Sequence, residues 1–427
     1  MTEDFLHYLW KYKLLDPQLT LFSGEDCEII DAGMHNKDSG PDFFNAKVKI
    51  GDTLWAGNVE IHINASEWYH HKHHQDQAYD NIVLHVVYNN DRAVKRKNGE
   101  LMPTLEVKGN FNEKLFDRYN QIIGHLGWIP CENLIGDVKR FTINSWLDRL
   151  LIERLEEKSQ AILERYEHNN QDWEETFYQV LARNFGFKVN AMPFEMLARS
   201  IPFKILMKYR DQSFQVEALL FGQAGLLSGK FRDEYPRNLL GEYQFLRNKY
   251  NLKSIEKHLW RFMRLCPANF PTLRIAQLAA IISSNEHLFR KMTESDSLSD
   301  YYVLFDVTAS SFWENHYNFG KKTNHKSVHL GKNAINLILI NTIIPFLFVY
   351  GRSRNDQRMI DRSIKLLEQI PGESNMIIRK WKEFGMSTNS AFNTQALLEL
   401  HNKFCMNKKC LDCAIGNELL RGTPKSL

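Results

Sequence analysis

The residues able to do chemistry fall in three places. Gly40-Pro41-Asp42-Phe43 sets a carboxylate after a Gly-Pro turn, and Gly57-Asn58-Val59-Glu60-Ile61-His62 places a carboxylate and an imidazole two positions apart. Residues two apart in a strand share one face, so Glu60 and His62 project together while Val59, Ile61 and Ile63 turn to the other side. If the two segments form a hairpin, Asp42 joins Glu60 over one cation. Two carboxylates with a neighbouring polar group are the minimum for holding Mg²⁺ or Mn²⁺ with positions left for water and a phosphate. The plainer reading is a turn cap at Asp42 and a solvated strand face at Glu60.

The second place is His70-His71-Lys72-His73-His74-Gln75-Asp76, where His71, His73 and Asp76 are the preferred candidates for further metal ligands or a general base. A solvated polar turn is the alternative. His85, inside the apolar run 82–87, is the next candidate, though a strand histidine also reads as a hydrogen-bonded core residue. Glu106-Val107-Lys108 repeats the Glu-x-basic pattern and competes for the same assignment. The third place is the C-terminal Cys405, Cys410 and Cys413, spaced Cys-x4-Cys-x2-Cys. Three thiolates need a fourth ligand for a closed zinc site or an iron-sulfur cluster, and Cys131 is the best-placed donor. Spacing alone does not separate the two metals, and Cys27 and Cys266 read as core or incidental residues.

The front pattern resembles the PD-(D/E)XK nuclease superfamily, in which a Pro-Asp turn leads into one strand and a Glu-x-Lys pair lies on the next. Pro41-Asp42 matches the first half, and Glu60-Ile61-His62 matches the second with His in place of Lys. The resemblance covers about 100 residues. It implies a restriction-endonuclease-like mixed sheet, metal-dependent cleavage of nucleic acid, and an acidic residue from the preceding helix, for which Glu3 is placed. The cysteine set is similar to an iron-sulfur staple of some nucleases of that superfamily. Over nearly its full length the chain also resembles a family of bacterial proteins catalogued as a domain of unknown function. That likeness rests on residues 38–43, 57–62 and 84–87, on Phe221-Gly222-Gln223-Ala224-Gly225, on 269–277 and on the cysteine triplet.

Positioning these groups requires a sheet at the front. Phe5, Leu6, Leu9, Trp10 and Leu14 fall at helical spacing, so a short amphipathic helix opens the chain. The period then changes to two, and 27–32, 46–50, 54–63, 82–88 and 105–108 read as strands separated by Gly, Asn, Asp and Pro. Long helical patterns follow, at 146–168, 173–185, 254–265, 273–282 and 391–404. The expected organisation is an α+β N-terminal domain over 1–130 and a mostly α-helical portion over 131–427, with the boundary among Gly124, Gly127, Pro130 and Gly136.

A length of 427 residues, 43% hydrophobic and 25% charged, excludes a disulfide-stapled miniature scaffold and a long disordered tail. Glu3 and Asp4 argue against a secretory signal, and the apolar run 334–350 is broken by Asn336, Asn341, Thr342 and Pro345, which makes it a buried core segment rather than a membrane span. A cytoplasmic protein is expected.

The formal charge of +3 conceals an asymmetry. Residues 1–130 carry 13 Lys/Arg against 19 Asp/Glu, whereas the remainder is basic. Nine of the 16 histidines lie in the acidic front. The basic rear suits an anionic polymer, with Arg261, Arg264 and Arg274 as candidate nucleic-acid contacts around a helix opened by Pro271; the plainer reading is a helix N-terminus packed against its neighbour. The expected function is an Mg²⁺- or Mn²⁺-dependent nuclease acting on nucleic acid, DNA in the first place, through Asp42, Glu60 and His62. The alternative is a binding scaffold with a degenerate site.

Overall fold

A computed structural model describes residues 1–324 and 328–422. The chain divides into two compact units, Met1–Trp146 with Leu400–Leu427, and Leu147–Glu399. The front unit therefore includes C-terminal residues, where the sequence reading divided the chain once, at 130. The C-terminal turns and the helix Ala414–Arg421 pack on the front unit: Leu420 and Cys410 sit in its main core, and Lys139 N–H donates to Glu418 Oε1 at 2.8 Å.

Helix α1 (Glu3–Lys11) opens the front unit, with Thr2 Oγ1 accepting the Phe5 N–H as an N-cap. Its apolar face, Phe5, Leu6, Leu9 and Trp10, is buried, and the Trp10 indole donates to the Ala32 carbonyl at 3.0 Å. Seven strands follow: β1 Leu19–Thr20, β2 Asp26–Asp31, β3 Met34–His35, β4 Phe43–Ile50, β5 Thr53–Asn64, β6 Ile82–Asn89 and β7 Thr104–Glu106. They form one mixed sheet in the order β1-β2-β4-β5-β6-β7, with β3 on β4. The first members pair antiparallel, β4 and β5 as the expected hairpin, while β5-β6 and β6-β7 are parallel. The two-residue strands β1 and β3 were not expected, being too short to show a period.

Alternation along β5 sorts its side chains. Val59 and Ile61 enter a core with Phe5, Leu9, Val48, Leu84 and Val86. The opposite face is covered by the β5-β6 crossover, comprising α2 (Glu67–His70) and two 3₁₀ turns, whose Trp68 and Tyr79 join Ala65, Ile82 and Val87 in a second core. Both faces of β5 around Glu60 are thus closed. Gly57 makes this crossing possible: a Cβ there would stand 2.3 Å from Val83 Cγ1 and 2.8 Å from the Asn81 carbonyl.

The second unit is helical, built from segments such as Trp173–Phe185, Ser213–Gln223, Pro271–Ser284 and Gln357–Gln369. The helix expected over 254–265 is instead an irregular segment with one 3₁₀ turn, Lys257–Leu259. Its backbone groups bond outward: Ile255 N–H to the Gln223 carbonyl, and Arg261 N–H to Asn190 Oδ1, while Trp260 donates its indole to Ala224. Those partners replace an i→i−4 ladder. Among the described residues, one helical stretch, Lys332–Arg354, is long and apolar enough to cross a membrane. Of its most apolar window, 72% is buried inside the fold, and a π turn at Leu339–Ile343 interrupts it.

Candidate metal centre

Asp42, Glu60 and His62 converge. Asp42 precedes β4; its Oδ2 accepts the Ile61 N–H at 2.8 Å, and its own N–H donates to Glu60 Oε2 at 3.2 Å. The hairpin thereby locks the two carboxylates side by side. Glu60 pairs in register with His85 on β6, so His85 shares the face of Glu60 and His62. The face is not solvated, contrary to the plainer reading: Glu60 is 4% exposed, His62 1% and His85 0%.

Two sets of donor atoms flank Glu60. Those of Glu3, His7 and Asp42 lie within 4.8 Å of one another, and so do those of His62, His71 and His73. Glu60 Oε1 stands 3.1 Å from His73 Nε2 and 3.6 Å from His62 Nε2, while Oε2 faces Asp42. Glu60 is therefore positioned to serve both sets. His62 Nδ1 meets His85 Nε2 at 2.8 Å, and its Nε2 lies 3.2 Å from His71 Nδ1. A ring tied through Nδ1 and presenting Nε2 has the arrangement of a metal-bound histidine held by a buried partner.

The electrostatics follow from burial and from crowding of like groups. Burial, then the nearby Asp42 carboxylate and Glu3, push Glu60 up to about 9 against the hydrogen bond from the Asp42 N–H. Glu3 is likewise raised, by burial and by Asp42. Burial and the surrounding imidazoles push His62 down to about 2 and His85, chiefly through burial, to about 3. Burial pulls His7 down, yet the hydrogen bond and charge of Asp42, with Glu3, outweigh it and leave His7 raised. Among the described residues, the ion-pair partners of Glu60 are His62 and His73 and include no lysine or arginine. The crowded carboxylates repel, and His62 and His85 are held as neutral lone-pair donors, a combination that a divalent ion would relieve.

Further supports come from local chemistry. Glu67 Oε2 accepts the Ile63 and Asn64 N–H groups at 3.0 Å each, fixing the end of β5 to the start of α2. Tyr79 stacks on His73 with ring centroids 3.8 Å apart. Two cavities border the centre: one of about 350 Å³ reached at His73 and Tyr79 and walled by Arg96 and Lys97, the other of about 250 Å³ reached at His7 and walled by Lys11, Lys408 and Lys409.

Several expected residues lie elsewhere. Asp76 is exposed and caps the turn Gln77–Tyr79, its Oδ1 accepting Ala78 N–H at 2.9 Å; its charge acts on His73, but it is not among the donors grouped with His62, His71 and His73. Glu106 Oε1 accepts the Asn90 N–H at 3.1 Å, tying β7 to the residue after β6, and Glu106 is not among the grouped donors. Arg274 is 6% exposed, bonded to Gln277 and Asn269 and lying over the Phe187 ring, so it is an interior residue and not a nucleic-acid contact. The Pro271 helix start is buried with it, as in the packed reading of that segment. Arg261 and Arg264 are exposed in the irregular segment. Cys131, Cys405, Cys410 and Cys413 all fall in the front unit. His7 was missed; the available signal was its position one turn after Glu3, which puts both on one face of α1.

Residues 3–376 match a family described as a protein of unknown function, DUF2851. No curated protein and no solved structure matches the chain.

Proposed function

Because the chain belongs to the DUF2851 family, whose description assigns no activity, the reading must come from the site, and we propose that this protein is a metal-dependent hydrolase of phosphodiester bonds in nucleic acid. The observation that carries it is the pair of three-donor sets, Glu3/His7/Asp42 and His62/His71/His73, on either side of the buried Glu60. Divalent ions held there would polarise a phosphoryl oxygen and lower the pKa of a bound water.

The chain's own residues divide the work. Asp42 and Glu60 supply the charge, and their mutual hydrogen bonding through the hairpin backbone keeps them in place without a cationic side chain. His62, where the nuclease pattern has Lys, is neutral at all ordinary pH and suits a ligand more than a proton carrier. His85 orients it. Arg96 and Lys97 on one side and Lys11, Lys408 and Lys409 on the other offer cationic contacts for phosphates flanking the scissile bond. A cytoplasmic setting completes the reading.

The test is incubation of the full chain with single- and double-stranded DNA and RNA plus Mg²⁺ or Mn²⁺, beside Asp42→Ala and Glu60→Ala. Cleavage by the parent that both variants lose is expected. Equal cleavage by all three preparations, or tight binding without cleavage by a folded parent, would refute it; the latter points to the scaffold.

A further inference from the structure

We infer that Cys131, Cys405, Cys410 and Cys413 form a four-thiolate site for an iron-sulfur cluster, separate from the carboxylate and imidazole centre and independent of the hydrolytic reading. The first observation is convergence. None of the six cysteines is in a disulfide, yet these four come from distant parts of the chain into one unit. Their segments are locked together by other contacts. Trp128 stacks on His401 at 4.8 Å, Trp146 meets Phe404 edge-on at 5.3 Å, and Lys408 Nζ donates to the Ile123 carbonyl at 2.7 Å. The thiols feel one another: charge on Cys410 and Cys413 acts on Cys131, and charge on all three acts on Cys405.

The second observation is a cradle shaped around sulfur. The Ile415 and Gly416 N–H groups and the Trp146 side chain hydrogen-bond to Cys413, the kind of outer donors that hold a sulfur ligand in place. Gly416 is needed for the approach, since a Cβ there would stand 2.1 Å from the Cys410 carbonyl oxygen. A π-helical segment, Leu400–Cys405, delivers Cys405, and such turns are rare and frequent at functional sites.

The spacing selects the metal class. One zinc ion with Zn–S bonds of about 2.3 Å would draw four sulfurs to about 3.8 Å from one another. Among the described residues, no three of these sulfurs lie within 4.8 Å of one another. A cluster of several iron and sulfide ions stands between its thiolates and holds them further apart than a single ion can. The site therefore fits a polynuclear group better than one tetrahedral ion. The cluster would staple the C-terminal segment to the front unit, including Asp412, which pairs with Lys11 at 3.8 Å and Lys37 at 3.4 Å.

The experiment is anaerobic purification of the full chain, with iron, acid-labile sulfide and zinc measured per chain, visible absorption, and electron paramagnetic resonance after dithionite reduction. Iron and sulfide in equal amounts, with visible absorption bleached by dithionite, are expected. Cys405→Ser and Cys413→Ser should lose most of the iron, whereas Cys27→Ser and Cys266→Ser should keep it. If the first two variants fail to fold, native-state alkylation of the parent decides: the four thiols should be protected until a chelator removes iron. One zinc per chain without iron, or four thiols alkylated at once in the folded parent, would overturn the inference. Neither result bears on phosphodiester cleavage, so this inference and the hydrolytic reading fail separately.

Discussion

Replacing Glu60 by Gln tests the metal centre through its proton. Glu60 is 4% exposed, and burial together with the Asp42 and Glu3 carboxylates pushes it up to about 9, so in the metal-free protein it is protonated at neutral pH. A divalent ion needs the carboxylate. Binding must then release that proton, and below about 9 each unit of falling pH should weaken Mn²⁺ binding tenfold, about 1.4 kcal/mol. At pH 7, two units below, the handicap is about 2.7 kcal/mol, or roughly a hundredfold in affinity. Glu60→Gln keeps the shape and removes both the charge and the proton, so it should bind Mn²⁺ at least tenfold more weakly and release one proton fewer. Calorimetric titration of the full chain in two buffers of different ionisation enthalpy, from pH 6 to 8, reads both quantities. Affinity of the parent that does not change with pH, or the same proton release from Glu60→Gln, would refute the reasoning.

Other outcomes follow from single contacts. Gly57→Ala should destabilise the front unit by about 1–3 kcal/mol in urea denaturation, because its methyl meets Val83 and the Asn81 carbonyl; unchanged stability would mean that the β5-β6 crossing relaxes freely. Glu217, buried against Ser310 and Tyr235, is raised by burial to about 7, so its neutral form fits the fold. Its contribution is therefore full below the unfolded value near 4.5 and is lost as pH rises to about 7. Glu217→Gln should flatten that decline and stabilise by about 3 kcal/mol at pH 8, read from thermal or urea melts, and a parallel pH profile would count against it. Asp76→Ala should leave Mn²⁺ affinity unchanged and lower stability by about 1 kcal/mol, the cost of a lost cap; a tenfold weaker affinity would return Asp76 to the ligand set.

Much of the front unit was legible because its signals are local. Period-two apolar runs gave five of the seven strands near their observed positions, and Pro41-Asp42 and Glu60-Ile61-His62 marked the residues that the hairpin brings together. The helix expected at 254–265 failed because Ile255, Trp260 and Arg261 spend their hydrogen bonds on Gln223, Ala224 and Asn190, partners that no local pattern reveals. For Arg274, local sequence left an anion contact and a packed helix start both open, for a similar reason. A cation near a helix start looks like an anion contact until Asn269, Gln277 and Phe187 are seen to enclose it.

The sequence alone therefore determined which side chains share a strand face and which segments carry sulfur, because periodicity and composition are properties of neighbours along the chain. Tertiary structure decided burial and partnership. The crossover over β5 turned an apparently open strand face into a closed centre, α1 brought Glu3 and His7 to Asp42, and the chain's return at Leu400 carried three cysteines to a fourth near residue 131. Dielectric environment and convergence across long sequence separations depend on what packs above a residue, and that information lies in the fold.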